Sequence, residues 1–169
     1  MKIRAIPLKT PFLKTATEKP LSWKLLAATF FGVGLIRKAP GTFGSLVAML
    51  VLLLPQQYIF PALLFGIFIG SAVSFSAISA AEEEWGSDSG RIVIDEAVGM
   101  WIVLLHPATQ HSFLWAIIAF ALFRVFDILK PWPINLLNKK EGPFFVLADD
   151  ILAGIFSLVS IGLAFKIFF

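Results

Sequence analysis

Long apolar stretches, separated by Gly/Pro turns and short bursts of charge, set the pattern of this chain. Leu21 to Leu35 comes first, with Ser22 as a capping hydroxyl and Gly32-Val33-Gly34 at its end. It is short for a membrane span, which needs about 20 residues. A Gly/Pro turn over Pro40-Gly41-Thr42-Phe43-Gly44-Ser45 follows, and Leu46 to Leu54 restarts the helix as far as Pro55. Tyr58 to Ala81 carries no charge and is the clearest span; Glu82-Glu83-Glu84 closes it as a solvated helix end. Ile92 to Leu105 runs to His106-Pro107, and Phe113 to Leu129 runs to Pro131-Trp132-Pro133, where proline removes a donor and restricts the residue before it. Ile134 to Lys140 is a short amphipathic piece, Gly142-Pro143 a turn, and Val146 to Phe168 the last long helix. Strand-period alternation and internal repeats are absent. The pattern predicts an all-α, compact, membrane-associated bundle of about six or seven helices, several of them membrane-embedded.

Composition sharpens this picture. The 169 residues are 58% hydrophobic and 15% charged, with mean hydropathy +0.86. Soluble domains carry about 25% charge, so lipid is expected to solvate part of this surface. The length fits one helical domain over 20–169, preceded by a flexible basic tail over 1–19. Lys2, Arg4, Lys9, Lys14, Lys19 and Lys24 precede the body of the chain, opposed only by Glu18. By the positive-inside rule this end is expected to be cytoplasmic and drawn to anionic headgroups. A nucleic-acid arm and a cleaved signal peptide both fit poorly, because a hydrophobic body containing Trp23, Lys24 and Pro40-Gly41 follows directly. With no cysteine, thiol nucleophiles, thiolate metal sites and disulfides are excluded.

Against that background five carboxylates stand out: Asp95-Glu96, Asp127, and Asp149-Asp150. A carboxylate buried in apolar surroundings must be paired, protonated or metal-bound. Both adjacent pairs fall near expected helix starts, where free N–H groups and the dipole favour negative charge, so helix stabilisation is the plain alternative to a site. Oxygen ligands select a hard cation such as Mg²⁺, Mn²⁺ or Ca²⁺. His106 and His111 flank a loop and read as capping or interfacial residues, which leaves a His-ligated zinc site unsupported. Arg124, Asp127 and Lys130 recur at i, i+3 and i+6, either as a self-neutralising ladder or as a phosphate clamp beside a metal-binding acid. Thr42 and Ser45, with nearby backbone N–H groups, offer a headgroup pocket.

Four blocks carry a resemblance: Ala39-Pro40-Gly41-Thr42-Phe43-Gly44-Ser45-Leu46; Ile94-Asp95-Glu96-Ala97-Val98-Gly99-Met100-Trp101; Phe123-Arg124-Val125-Phe126-Asp127 with Lys130-Pro131-Trp132-Pro133; and Asp149-Asp150-Ile151-Leu152-Ala153-Gly154. Their order and spacing over about residues 21–160 resemble the phosphatidylglycerophosphatase A family. The resemblance implies a multi-pass enzyme of the bacterial inner membrane, Mg²⁺-dependent, with its active site on the cytoplasmic side. It would hydrolyse the terminal phosphomonoester of phosphatidylglycerophosphate in phospholipid biosynthesis. It implies Asp95, Glu96, Asp127, Asp149 and Asp150 as catalytic acids. Asp95, Glu96, Asp149 and Asp150 would hold the metal, while Thr42, Ser45, Arg124 and Lys130 would bind the lipid phosphate; water or an aspartate could attack. Two segments depart from the family. Glu141-Gly142-Pro143-Phe144-Phe145 stands where a His-Gly-Gly-x-Gly-like stretch is common, and Ile36-Arg37-Lys38 where a Ser-Pro-like step is common. Two rival readings use the same acids: a cation or proton transporter, and a non-catalytic membrane protein whose acids only cap helices.

Overall fold

The computed structural model describes residues 22–87 and 89–168. The basic tail over 1–19 therefore lies outside the described residues. Among those described there are eight α-helices and no strand: α1 (Trp23–Ala28), α2 (Pro40–Ala48), α3 (Gln56–Trp85), α4 (Ile94–Val103), α5 (Pro107–His111), α6 (Phe113–Leu129), α7 (Ile134–Asn138) and α8 (Pro143–Phe168). The ten-residue α4 is the hub, packing on α2, α3, α6 and α8; α1 lies on α3, α5 on α6, and α7 on α8.

Local chemistry explains where the elements start and stop, and where the sequence reading needs correction. Ser22 does cap α1, its hydroxyl accepting from the Leu25 N–H at 3.3 Å. The helix does not run to Leu35, however. Phe30, Phe31 and Gly32 have φ of 45°, 58° and 93°, a left-handed run that no α-helix accommodates, and a short 3₁₀ turn over Val33–Leu35 replaces the rest.

The Pro40–Ser45 segment is likewise helix rather than turn. Pro40 occupies the first helical position, where its missing N–H and fixed φ cost nothing, and α2 continues through both glycines. Its buried residues are Gly41, Gly44, Ser45 and Ala48. This spacing forms one stripe of small side chains that lets α2 lie close to α4. A Cβ at Gly44 would stand only 3.0 Å from the Val93 Cβ. Met49–Leu53 is a 3₁₀ extension, so no new helix begins at Leu46.

The α4–α8 crossing is tighter still. A Cβ on Gly99 would meet the Asp150 carbonyl oxygen at 2.6 Å, and one on Gly154 would meet the Gly99 carbonyl oxygen at 2.5 Å. Only two glycines allow these backbones to touch, and the touch brings the acidic ends of both helices together. Trp101 locks α4 to α2 from the other side: its indole N–H donates to the Ala48 carbonyl at 3.0 Å. On α3 its ring fills the space left by Gly66 and Gly70.

α3 and α8 are 30 and 26 residues long and apolar enough to cross a membrane. Only 17% and 22% of their most apolar windows are buried against protein, which is too little for core helices. His106 behaves as a cap, its Nδ1 accepting from the Ala108 N–H at 3.2 Å to begin α5, a helix the sequence did not announce.

Candidate active site

α8 begins at Pro143 rather than Val146, which changes the meaning of its acids. Asp149 and Asp150 sit in the second turn, past the first four N–H groups that a helix leaves free. Helix capping therefore cannot account for them, yet both are buried, each 3% exposed. Asp95 and Glu96 do occupy the first turn of α4, and Asp95 is buried too.

The Gly99–Gly154 contact brings these two helices together so that Asp95, Glu96 and Asp150 each offer an oxygen within 4.8 Å of the others. Asp95 Oδ1 and Glu96 Oε2 are buried without a hydrogen-bond partner. Burial pushes the Asp95 carboxyl up to about 6. Burial, reinforced by the Asp95 charge, pushes Glu96 well above its ordinary value. Three crowded acids, two of them with orphaned oxygens, form a pocket that favours positive charge. An oxygen-only donor set of this size fits a hard divalent cation.

A second group lies beside the first. Arg124 Nη1 is 2.7 Å from Asp127 Oδ2 and donates to the Ser45 hydroxyl at 3.4 Å, and that hydroxyl donates to the Gly41 carbonyl at 2.9 Å. Arg124 Nε is buried with no partner, so this guanidinium keeps a donor in reserve. The Gly41 backbone abuts both the Glu96 carboxylate and the Arg124 Nη1. The α2 stripe thus carries the Arg124 group to the acids.

Lys130 departs from the expected helical face. α6 ends at Leu129, and Lys130 is the left-handed cap with φ 42°. Its ammonium pairs with Asp149 and donates to the Asn138 side-chain oxygen at 2.7 Å, tying α6, α7 and α8 together. Burial alone would lower the Lys130 pKa, but the bond to Asp149 and the charges of Asp150 and Asp127 outweigh it, and the net shift is upward.

Of the residues expected from sequence, the structure collects Asp95, Glu96 and Asp150 in one cluster, Ser45, Arg124 and Asp127 in a second, and Lys130 with Asp149 in a third. Thr42 is half-buried on α2 and makes no side-chain hydrogen bond among the described residues. Gly41 and Asn138 were not expected. The small-residue spacing of 41, 44, 45 and 48 signals the first, once the segment is read as helix. Nothing local signals the second.

Comparison with known proteins points the same way. The family profile described as "Phosphatidylglycerophosphatase A" matches residues 26–165. The chain is 37% identical over 157 residues to the putative phosphatidylinositol-3-phosphatase of Bacteroides thetaiotaomicron, covering 87% of this chain and 96% of that one. It is 35% identical over 157 residues to phosphatidylglycerophosphatase A of Escherichia coli, covering 90% and 88%. The same-named protein of Haemophilus influenzae is 39% identical over 152 residues, covering 88% and 91%. No solved structure matches.

Proposed function

The chain belongs to the phosphatidylglycerophosphatase A family and hydrolyses the terminal phosphomonoester of phosphatidylglycerophosphate, and we propose that it does so at the Asp95–Glu96–Asp150 cluster with Mg²⁺ as cofactor. The observation that carries this reading is the convergence of three carboxylates from two helices, two with unpartnered buried oxygens. Asp95, Glu96 and Asp150 would hold the cation, with Asp149 beside them. When bound, it would neutralise phosphate oxygens and lower the barrier to attack at phosphorus and departure of the glycerol oxygen.

The remaining roles belong to the chain. Arg124 is held by Asp127 and Ser45, and its unpartnered Nε can donate to a phosphoryl oxygen as charge develops there. Asp127 fixes the guanidinium and counts among the acids of the site. Lys130 would supply a point charge beside Asp149, and Thr42 would orient the headgroup from α2. Hydrolysis exchanges the phosphorus–oxygen bond to glycerol for one to the oxygen of water. The water gives up a proton and the departing glycerol oxygen takes one. The exposed apolar faces of α3 and α8 would hold the chain in a bilayer, with the substrate's acyl chains beside them and the cluster at the cytoplasmic surface.

The Bacteroides relative supports a second reading, a phosphomonoester on an inositol ring. Both named lipids join the polyol to diacylglycerol through a phosphodiester. A transporter finds no such support, since none of these relatives is named as one. The deciding experiment is phosphate release by purified protein in nonionic-detergent micelles. Phosphatidylglycerophosphate, phosphatidylinositol 3-phosphate and phosphatidic acid would be compared with Mg²⁺ and with a chelator. Selective, Mg²⁺-dependent release from the first is expected, and its loss in Asp95→Asn. Equal turnover with chelator would remove the metal from the reading.

A further inference from the structure

The acids and Arg124 account for one phosphate, but the substrate carries two. A cavity of about 190 Å³ opens beside the acids, lined by Asn138, Lys139, Lys140 and Glu141 of the α7–α8 connection and by Phe145 and Asp149 of α8. Asp149 belongs to this cavity and its neighbour Asp150 to the acid cluster; consecutive helical residues point about 100° apart, so the two sites share one turn of α8. We propose that this cavity seats the phosphodiester of the lipid headgroup and the polyol attached to it. This rests on the acid cluster being the phosphatase site.

Size, charge and polarity argue for this occupant. The cavity holds the liquid volume of about six waters, enough for a small polyol phosphate and far too little for acyl chains. Asp149 is already offset by Lys130, so its charge does not repel an anion. Among the described residues neither Lys139 nor Lys140 has a carboxylate partner, which leaves two cations at the mouth against Glu141 alone. Lys140 is steadied over the Phe145 ring, 5.0 Å from its centroid, and so points along the cavity wall. Asn138 is fixed by Lys130. Its amide, together with the Glu141 and Asp149 carboxylates, offers partners for polyol hydroxyls. A lipid lying across Asp149 and Asp150 would place its diester among the lysines and its terminal phosphate at the acids.

The two halves of the reaction product separate the two sites. Short-chain phosphatidylglycerol retains the diester and lacks the monoester; inorganic phosphate is the reverse. In neutral detergent micelles, replacing both lysines (Lys139→Ala with Lys140→Ala) is expected to weaken phosphatidylglycerol binding about tenfold by titration calorimetry, the scale of two lost solvent-exposed charge contacts. The KM for phosphatidylglycerophosphate should rise by a similar factor, while inhibition by inorganic phosphate stays within about twofold. Unchanged phosphatidylglycerol binding would overturn the proposal. So would an equal shift for both ligands, which would reveal a general surface charge. Lysine-dependent phosphatidylglycerol binding by a wild-type protein that releases no phosphate would keep this cavity and sink the hydrolase reading instead.

Discussion

Replacing Asp150 by Asn should make the metal-free protein more stable and the metal-loaded protein inactive. Asp95, Glu96 and Asp150 crowd their oxygens within 4.8 Å, where two unit charges repel by about 3 kcal/mol at an effective dielectric of 20. Asp150→Asn removes two of the three pairwise repulsions and leaves a side chain of nearly equal size. Proton uptake already relieves part of the crowding, so roughly 1–2 kcal/mol should remain to be gained at neutral pH. In a chain of this length that corresponds to about 2–8 °C in Tm. Mg²⁺ should act oppositely on the two proteins: at a hundred times its Kd it adds about 2.7 kcal/mol to the wild type and little to the variant. The assay is thermal unfolding in nonionic detergent, followed by tryptophan fluorescence, with chelator and across a Mg²⁺ series. A variant less stable than wild type in chelator, yet still raised by Mg²⁺, would refute the cluster as a site of mutual repulsion relieved by a cation.

Three further outcomes follow from the same geometry. Gly99→Ala would drive a methyl to 2.6 Å from the Asp150 carbonyl oxygen, costing about 1–3 kcal/mol and most of the phosphate release, whereas Gly90→Ala, facing open space, should melt like wild type. Arg124→Ala should lower kcat/KM by about 10²-fold in phosphate release, the scale of one lost transition-state donor, with Arg124→Lys falling between it and wild type. Trp101→Phe removes the indole bond to the Ala48 carbonyl and should cost about 0.5–1.5 kcal/mol in the same melts, without changing the Mg²⁺ concentration needed for half-maximal stabilisation.

Hydrophobic pattern alone located the long elements. The Phe113–Leu129 helix has the bounds that its apolar run and Pro131 dictate, and α3 differs from Tyr58–Ala81 only by absorbing its polar ends. These elements are legible because their signals are local and repeated. What was misread depends on backbone angles or distant packing. Nothing short of the left-handed Phe30–Phe31–Gly32 run reveals that α1 stops at Ala28. Pro40-Gly41-Thr42-Phe43-Gly44 carries turn chemistry yet is helical, because its small side chains answer to α4 rather than to local propensity. The acids were visible as chemistry out of place. Their division among three groups was not, since it follows from the Gly99–Gly154 contact and from the Lys130 cap, both set by residues far apart in the chain.

The ten residues of α4 measure about 15 Å end to end, roughly half the hydrocarbon thickness of a bilayer, and the acids sit on its first turn. If α3 and α8 cross a bilayer, a reacting centre riding on so short a strut would work from a single side. It would then dephosphorylate lipids that drift sideways into it within their own leaflet. A molecule stranded in the opposite leaflet would stay out of reach until something else turned it over.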